Sequence, residues 1–201
     1  MVGNRDQDLQ HFIDTTEQAI RARSADCPDA MAMVDKIFTT LRKAGEPDGD
    51  TVASRRPACR HLDQALDIAR RAEAPLPALA DAFAAIEPRF AWQRRLKVDH
   101  ETEDFGDNHA NAVIVGIGGL EDCEQVRIGV SLVAPHIDYP RHRHPPEEVY
   151  MVMSPGKWMQ NDETPQPRRS GDLIHNTPNA WHAMHSGDVP LLTLWCLWTG
   201  D

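Results

Sequence analysis

The chain has 201 residues, 41% hydrophobic and 26% charged, which suits one globular domain or a domain with a helical extension. Its formal net charge of −10 excludes a general nucleic-acid binder, which would show a basic face. The four cysteines, Cys27, Cys59, Cys123 and Cys196, form no CxxC pair, which argues against a disulfide framework and excludes a cysteine-rich zinc site.

Up to about residue 90 the periodicity predicts helices. Leu9, Phe12, Ile13, Thr16 and Ile20 recur at three- and four-residue steps. Pro28 suits the first turn of a second helix with Met31, Val34, Ile37, Phe38 and Leu41 on its apolar stripe, and Gly45 is placed to end it. A third helix fits His61 to Ala74, and a shorter fourth follows Pro77 with Leu79, Phe83 and Ile86 inward. After Pro88 the pattern changes to short β-rich runs between Gly, Pro, Asn and Asp. The strands expected are Ala112–Ile117, Val126–Val133, Glu148–Met153, Leu173–His175, Trp181–His185 and Leu191–Trp198, as in a sandwich or small barrel. The expected organisation is a helical region over 1–90 and a β-barrel over 91–201. The N-terminal residues carry no apolar run, and no stretch has the length of a membrane span, so a cytoplasmic protein with reduced thiols and no membrane partner is expected.

Ten histidines occur, six of them between His136 and His185. His142 and His144 are two apart, and on a strand such a pair shares one face. Pro140, Pro145 and Pro146 argue against a helix here. After the Pro-Pro bend the chain resumes as a strand, on which Glu148 and Tyr150 share a face while Glu147 and Val149 point away. His182 follows Gly171 past the turn Thr177-Pro178-Asn179 and can return a third imidazole from a facing strand. Three histidines and a carboxylate suit one divalent transition metal ion: Zn, Fe(II), Mn, Co or Ni. With open positions such an ion acts as a Lewis acid on a substrate oxygen. His11, His61, His100 and His109 read as surface or loop residues, and His136, His175 and His185 as packing or supporting groups.

These residues resemble the cupins. His142-x-His144-xxx-Glu148 matches the first cupin motif, with Gly156 one residue late and His136 where a glycine is usual. Gly171 and His182 match the spacing of the second motif. More narrowly, Tyr139-Pro140-Arg141-His142-x-His144-Pro145-xx-Glu148-x-Tyr150, with the preceding Val126–Leu132 and Ala134-Pro135-His136, is similar to the cupin-type dimethylsulfoniopropionate (DMSP) lyases, the DddQ group in particular. The resemblance implies a mainly β fold with α: one C-terminal cupin (double-stranded β-helix, or jelly-roll) barrel preceded by a helical region. It implies cleavage of DMSP to dimethyl sulfide and acrylate, with His144, Glu148 and His182 as metal ligands and His142 as ligand or close neighbour. Tyr150 would be the base, and Tyr139 would line the pocket and assist. Aromatic faces attract a sulfonium cation, so Tyr139, Trp158 and Trp181 are candidates to receive it, whereas Trp195 and Trp198 sit in an apolar run and read as core. Two alternatives stay open, another metal-dependent cupin enzyme (a dioxygenase or isomerase) and a non-catalytic small-molecule-binding cupin. The helical half is compatible with packing on the barrel, covering the pocket or forming a homodimer surface.

Overall fold

The computed structural model describes residues 5–47, 51–95 and 105–200, so His100 lies outside the described residues. Helix α1 (Gln7–Arg21) starts where the Asp6 carboxylate accepts from the Leu9 N–H at 3.0 Å, and it buries Leu9, Phe12, Ile13, Thr16 and Ile20. Pro28 opens a 3₁₀ turn that leads into α2 (Met31–Thr40), which buries Val34, Ile37 and Phe38. Helices α3 (Leu62–Arg70) and α4 (Leu76–Ile86) follow, with α4 packed between α1 and α3, and α5 (Phe105–Asn108) is a single turn.

Nine strands follow among the described residues: β1 (His109–Val115), β2 (Val126–Val133), β3 (Asp138–His142), β4 (Glu147–Val152), β5 (Gly156–Gln160), β6 (Gln166–Arg168), β7 (Leu173–Asn176), β8 (His182–Ser186) and β9 (Leu191–Trp198). They form two antiparallel sheets, ordered β1-β2-β9-β4-β7 and β3-β8-β5-β6. From β2 onward the chain passes back and forth between the sheets, which is the winding of a double-stranded β-helix. The fold is a cupin barrel preceded by helices.

Strand periodicity divides the larger sheet between two cores. Val149 and Met151 of β4, and Leu192, Leu194 and Cys196 of β9, join a core continuous with the helices. Tyr150 and Val152, with Leu191 and Trp195, face the other sheet across the barrel interior. Helices α2 and α3 lie against β9. Both faces of β9 are therefore covered, which explains its almost unbroken apolar run LLTLWCLW. A buried ion pair ties the two halves together: Arg5 donates to Glu121 at 2.7 Å, and both side chains are 4% exposed. Arg5 also donates to the Leu41 carbonyl, and Glu121 accepts from the Gly45 N–H.

The structure corrects several expected boundaries. Helix α2 ends before Gly45, whose role is close approach, since a Cβ there would lie 2.0 Å from the Asp122 carbonyl oxygen. Helix α3 stops at Arg70 rather than Ala74. Strand β1 starts earlier and ends at Val115, because Gly116 turns the chain at φ 111° and leaves Ile117 exposed. Trp181 precedes β8 rather than opening it. Strands β3, β5 and β6 are additional to the six expected.

Candidate metal centre and cavity

Strand β3 supplies Tyr139 and His142, which both face inward although three residues apart. The pairing of β3 with β8 shifts register between Tyr139 and His142, around Pro140, which has no N–H for the ladder. His142 then lies opposite His182. His144 sits just beyond β3, while β4 contributes Glu148 and Tyr150 at the expected spacing of two.

The ligand atoms of His142, His144 and His182 lie within 4.8 Å of one another. The Oε2 atom of Glu148 is 3.2 Å from His144 Nε2 and 3.5 Å from His182 Nε2. Each histidine places Nδ1 on a backbone carbonyl two residues away: His142 on Pro140 at 2.9 Å, His144 on Pro146 at 3.0 Å and His182 on Ala180 at 3.0 Å. A carbonyl only accepts, so each Nδ1 carries the proton and each Nε2 can present a lone pair to the common centre. His182 Nε2 is buried with no hydrogen-bond partner among the described residues. Burial, helped by the His182 ring, pushes the His142 imidazole down to about 2, and burial also lowers His182 despite the Glu148 charge. His144 differs. Burial lowers it, but the Glu148 hydrogen bond and charge outweigh that and leave it raised. Three convergent Nε2 atoms with one carboxylate fit a divalent transition metal.

Glu148 is itself held. Asn176, its cross-strand partner, donates Nδ2 to Oε2 at 3.0 Å. Gln160 donates to Asn176 Oδ1 at 2.8 Å, which orients that amide. His175 pairs with Glu147 on the outward parity, and His185 with Asp138.

A cavity of about 330 Å³ opens beside the centre, lined on this side by His142, His144, Glu148, Tyr139 and Tyr150. The lining also includes Arg95, Asn111, Arg127, Ser131 and Trp195, the last the cross-strand neighbour of Tyr150. Burial raises both phenols, Tyr150 well above its ordinary value, where the Glu148 charge adds to the effect. Arg95 opposes the rise at Tyr139.

Two tryptophans expected near the substrate do not line this cavity. Trp158 is 1% exposed and stands behind Tyr150, with ring centroids 6.2 Å apart. Trp181 stacks with the Arg141 and Arg143 guanidiniums, at 4.9 and 4.7 Å from its ring centroid. Trp195, expected in the core, is buried in the core of the barrel interior and also borders the cavity. It lies across β2 at Gly129, where a Cβ would fall 2.1 Å from Trp195 Cζ2. His109, expected in a loop, is fully buried on β1, stacked on Phe105 with Nε2 at 3.1 Å from Asn111 Oδ1. Burial holds His109 down to about 3. The polar wall has one trace in the sequence. Arg127 and Ser131 share a face of an otherwise apolar strand, with Gly129 between them. Arg95 leaves no such trace. It is carried in by an extended segment in which Gln93 bridges Asn111 of β1.

Among the described residues no helix is long and apolar enough to cross a membrane. A family model for dimethylsulfoniopropionate lyases matches residues 30–193, more than half of the chain. A protein of Cereibacter sphaeroides assigned as the dimethylsulfoniopropionate lyase DddL is 25% identical over 92% of this chain and 88% of its own length. The dimethylsulfoniopropionate lyase DddQ of Ruegeria pomeroyi is 27% identical over 62% of each chain. The crystal structure of DddQ from Ruegeria pomeroyi superposes with a TM-score of 0.74 at 22% identity, covering 98% of this chain and 93% of that one. A crystal structure reported for the DMSP lyases RdDddP and RnDddQII gives 0.68 at 23% identity, over 95% and 92%. With the cupin fold, the histidine cluster and the family match together, the chain belongs to the dimethylsulfoniopropionate lyase family.

Proposed function

We propose that the chain is a metal-dependent carbon–sulfur lyase that cleaves DMSP to dimethyl sulfide and acrylate by β-elimination. The observation that carries this reading is the placement of Tyr150. It shares a strand face with Glu148 and lines the same cavity as His142 and His144, two of the three convergent histidines. His142, His144, Glu148 and His182 would hold the ion, which is Zn, Fe(II), Mn or Co. When bound, it would supply positive charge that stabilises the electron density developing beside the substrate carboxylate and offsets the Glu148 charge on the nearby phenol.

Ionised to the phenolate beside a bound cation, Tyr150 Oη takes the proton from the carbon next to the carboxylate and becomes the neutral phenol. The C–H pair becomes the carbon–carbon double bond, the carbon–sulfur bond breaks, and its pair leaves with the neutral sulfide. Tyr139 and Trp195 offer aromatic faces to the sulfonium, an attraction of about 0.5–2 kcal/mol when water is excluded. The substrate is a small molecule, and neither a nucleic acid nor a membrane is required. A homodimer and a cytoplasmic location are compatible with this role.

The test is headspace detection of dimethyl sulfide from protein loaded separately with each metal. Wild type should release the gas, and Tyr150→Phe should lose about 10²–10⁴-fold in rate while metal content is unchanged. His144→Ala should lose both metal and activity. No gas from wild type with any of the four metals refutes the lyase reading. Full activity in Tyr150→Phe refutes its assignment as the base.

A further inference from the structure

The cavity beside the metal centre carries an unbalanced cation. Arg95 lines the cavity, and its Nη1 is buried with no hydrogen-bond partner among the described residues. The guanidinium lies 5.2 Å from the Tyr139 ring centroid and within hydrogen-bonding reach of the Tyr139 hydroxyl. Glu148 is the single acid lining this cavity among the described residues, and its Oε2 accepts from Asn176 and lies beside the Nε2 atoms of His144 and His182. Arg127 adds a second guanidinium at the exposed rim. In a chain of net charge −10, a cavity with more guanidinium than carboxylate is a local reversal of sign. An unmet, buried guanidinium donor costs free energy unless a ligand meets it, and the group it matches best is a carboxylate.

Asn111 points the same way. Its Oδ1 lies 2.5 Å from Ser131 Oγ and 3.1 Å from His109 Nε2. With burial keeping His109 neutral, its Nε2–H donates to that oxygen, because Oδ1 can only accept. The Asn111 amide is thereby fixed with its Nδ2–H₂ turned away from these partners, within reach of the Tyr139 hydroxyl. Donors thus gather beside Arg95, and among them Arg95 Nη1 lacks an acceptor within the described residues.

We propose that Arg95 is the specificity-determining residue of the cavity: its Nη1 donates to a carboxylate oxygen of the substrate, so the site selects small carboxylates over neutral molecules of the same shape. Applied to DMSP this rests on the lyase reading above, and it fixes which end of the zwitterion meets the β1–β2 wall. The selection itself does not depend on turnover.

The test compares propionate with propionamide, which have the same shape and differ in charge. Both are titrated calorimetrically into full-length wild type, Arg95→Gln and Arg95→Lys, metal-free and metal-loaded. Metal-free wild type should prefer propionate by about 10- to 100-fold, the value of a charge-assisted hydrogen bond. Arg95→Gln should bring the two affinities to within about twofold, with Arg95→Lys intermediate because it keeps charge and loses the planar fork. In the loaded enzyme, Arg95→Gln should raise KM for DMSP more than it lowers kcat. If Arg95→Gln does not fold, nitrogen-15 spectra of the wild-type guanidiniums decide instead. The Arg95 resonance should shift with propionate and stay still with propionamide. Equal affinities in wild type, preserved preference in Arg95→Gln, or an unmoved Arg95 resonance overturns the proposal. If wild type releases no dimethyl sulfide, the lyase reading fails and the propionate preference still judges Arg95 by itself.

Discussion

Gly129 allows the sharpest test of how the cavity is built. A methyl group there would lie 2.1 and 2.3 Å from the Trp195 indole and 2.5 Å from the Ala112 carbonyl oxygen. Carbon contacts become favourable near 3.5 Å, so in Gly129→Ala the indole must retreat by about 1.4 Å. The other side offers no relief, because Ala112 is backbone in the paired strand β1. Overpacking of this kind costs about 1–3 kcal/mol, and in a chain of this size that lowers Tm by about 2–12 °C. The indole borders the cavity, so substrate binding should weaken together with stability. The assay is calorimetric melting of Gly129→Ala, Trp195→Phe and the double variant. Phenylalanine lacks the atoms that clash, so the double variant should regain about 0.5–3 kcal/mol relative to the sum of the single changes. A Gly129→Ala protein that melts like wild type, or a double variant with purely additive losses, refutes this packing.

Glu121→Ala strands the buried Arg5 guanidinium and should cost about 3–5 kcal/mol in urea unfolding; a loss below about 1 kcal/mol would place that pair in the surface class. The folded His109 imidazole is held to about 3, below its unfolded value, so its contribution is complete at neutral pH and is lost as pH falls from about 6.5 towards 3, where the unfolded chain takes up a proton that the folded one refuses. His109→Gln should therefore flatten the stability-against-pH curve by up to about 1.4 kcal/mol per pH unit across that window, and an unchanged slope would mean that His109 protonates in the folded protein.

The fold was legible where local chemistry and tertiary context agree. Strands β2 and β9 have the bounds expected, because their mostly apolar runs are largely buried and are bounded by Gln125 and Ala134-Pro135 and by Pro190 and Thr199. Period-two reasoning also sorted Glu148 and Tyr150 from Glu147 and Val149. It was silent on Tyr139, since the irregularity around Pro140 changes the parity of β3. Strands β5 and β6 escaped notice because GKWMQ and QPR are short and partly exposed, and QPR carries a proline. The cavity wall was the hardest part to read. Trp195 looks like one more core residue in LLTLWCLW, and only the missing side chain at Gly129, distant in sequence, makes room for it. Arg95 lies outside every helix and strand, and its inward course depends on the bridge between Gln93 and Asn111.

The division of β4 between two cores makes the length of this segment harder to change than its composition. Val149 and Met151 can exchange for other apolar residues of similar volume at modest cost. Inserting or deleting one residue between His144 and Tyr150 is a different kind of change. It would present Val149 and Met151 to the cavity and drive Glu148 and Tyr150 into the packing under the helices. Both the reaction chamber and the support beneath it would be lost in one step. Related sequences that keep this site should therefore vary freely in the loops around β4 while holding this spacing without gaps.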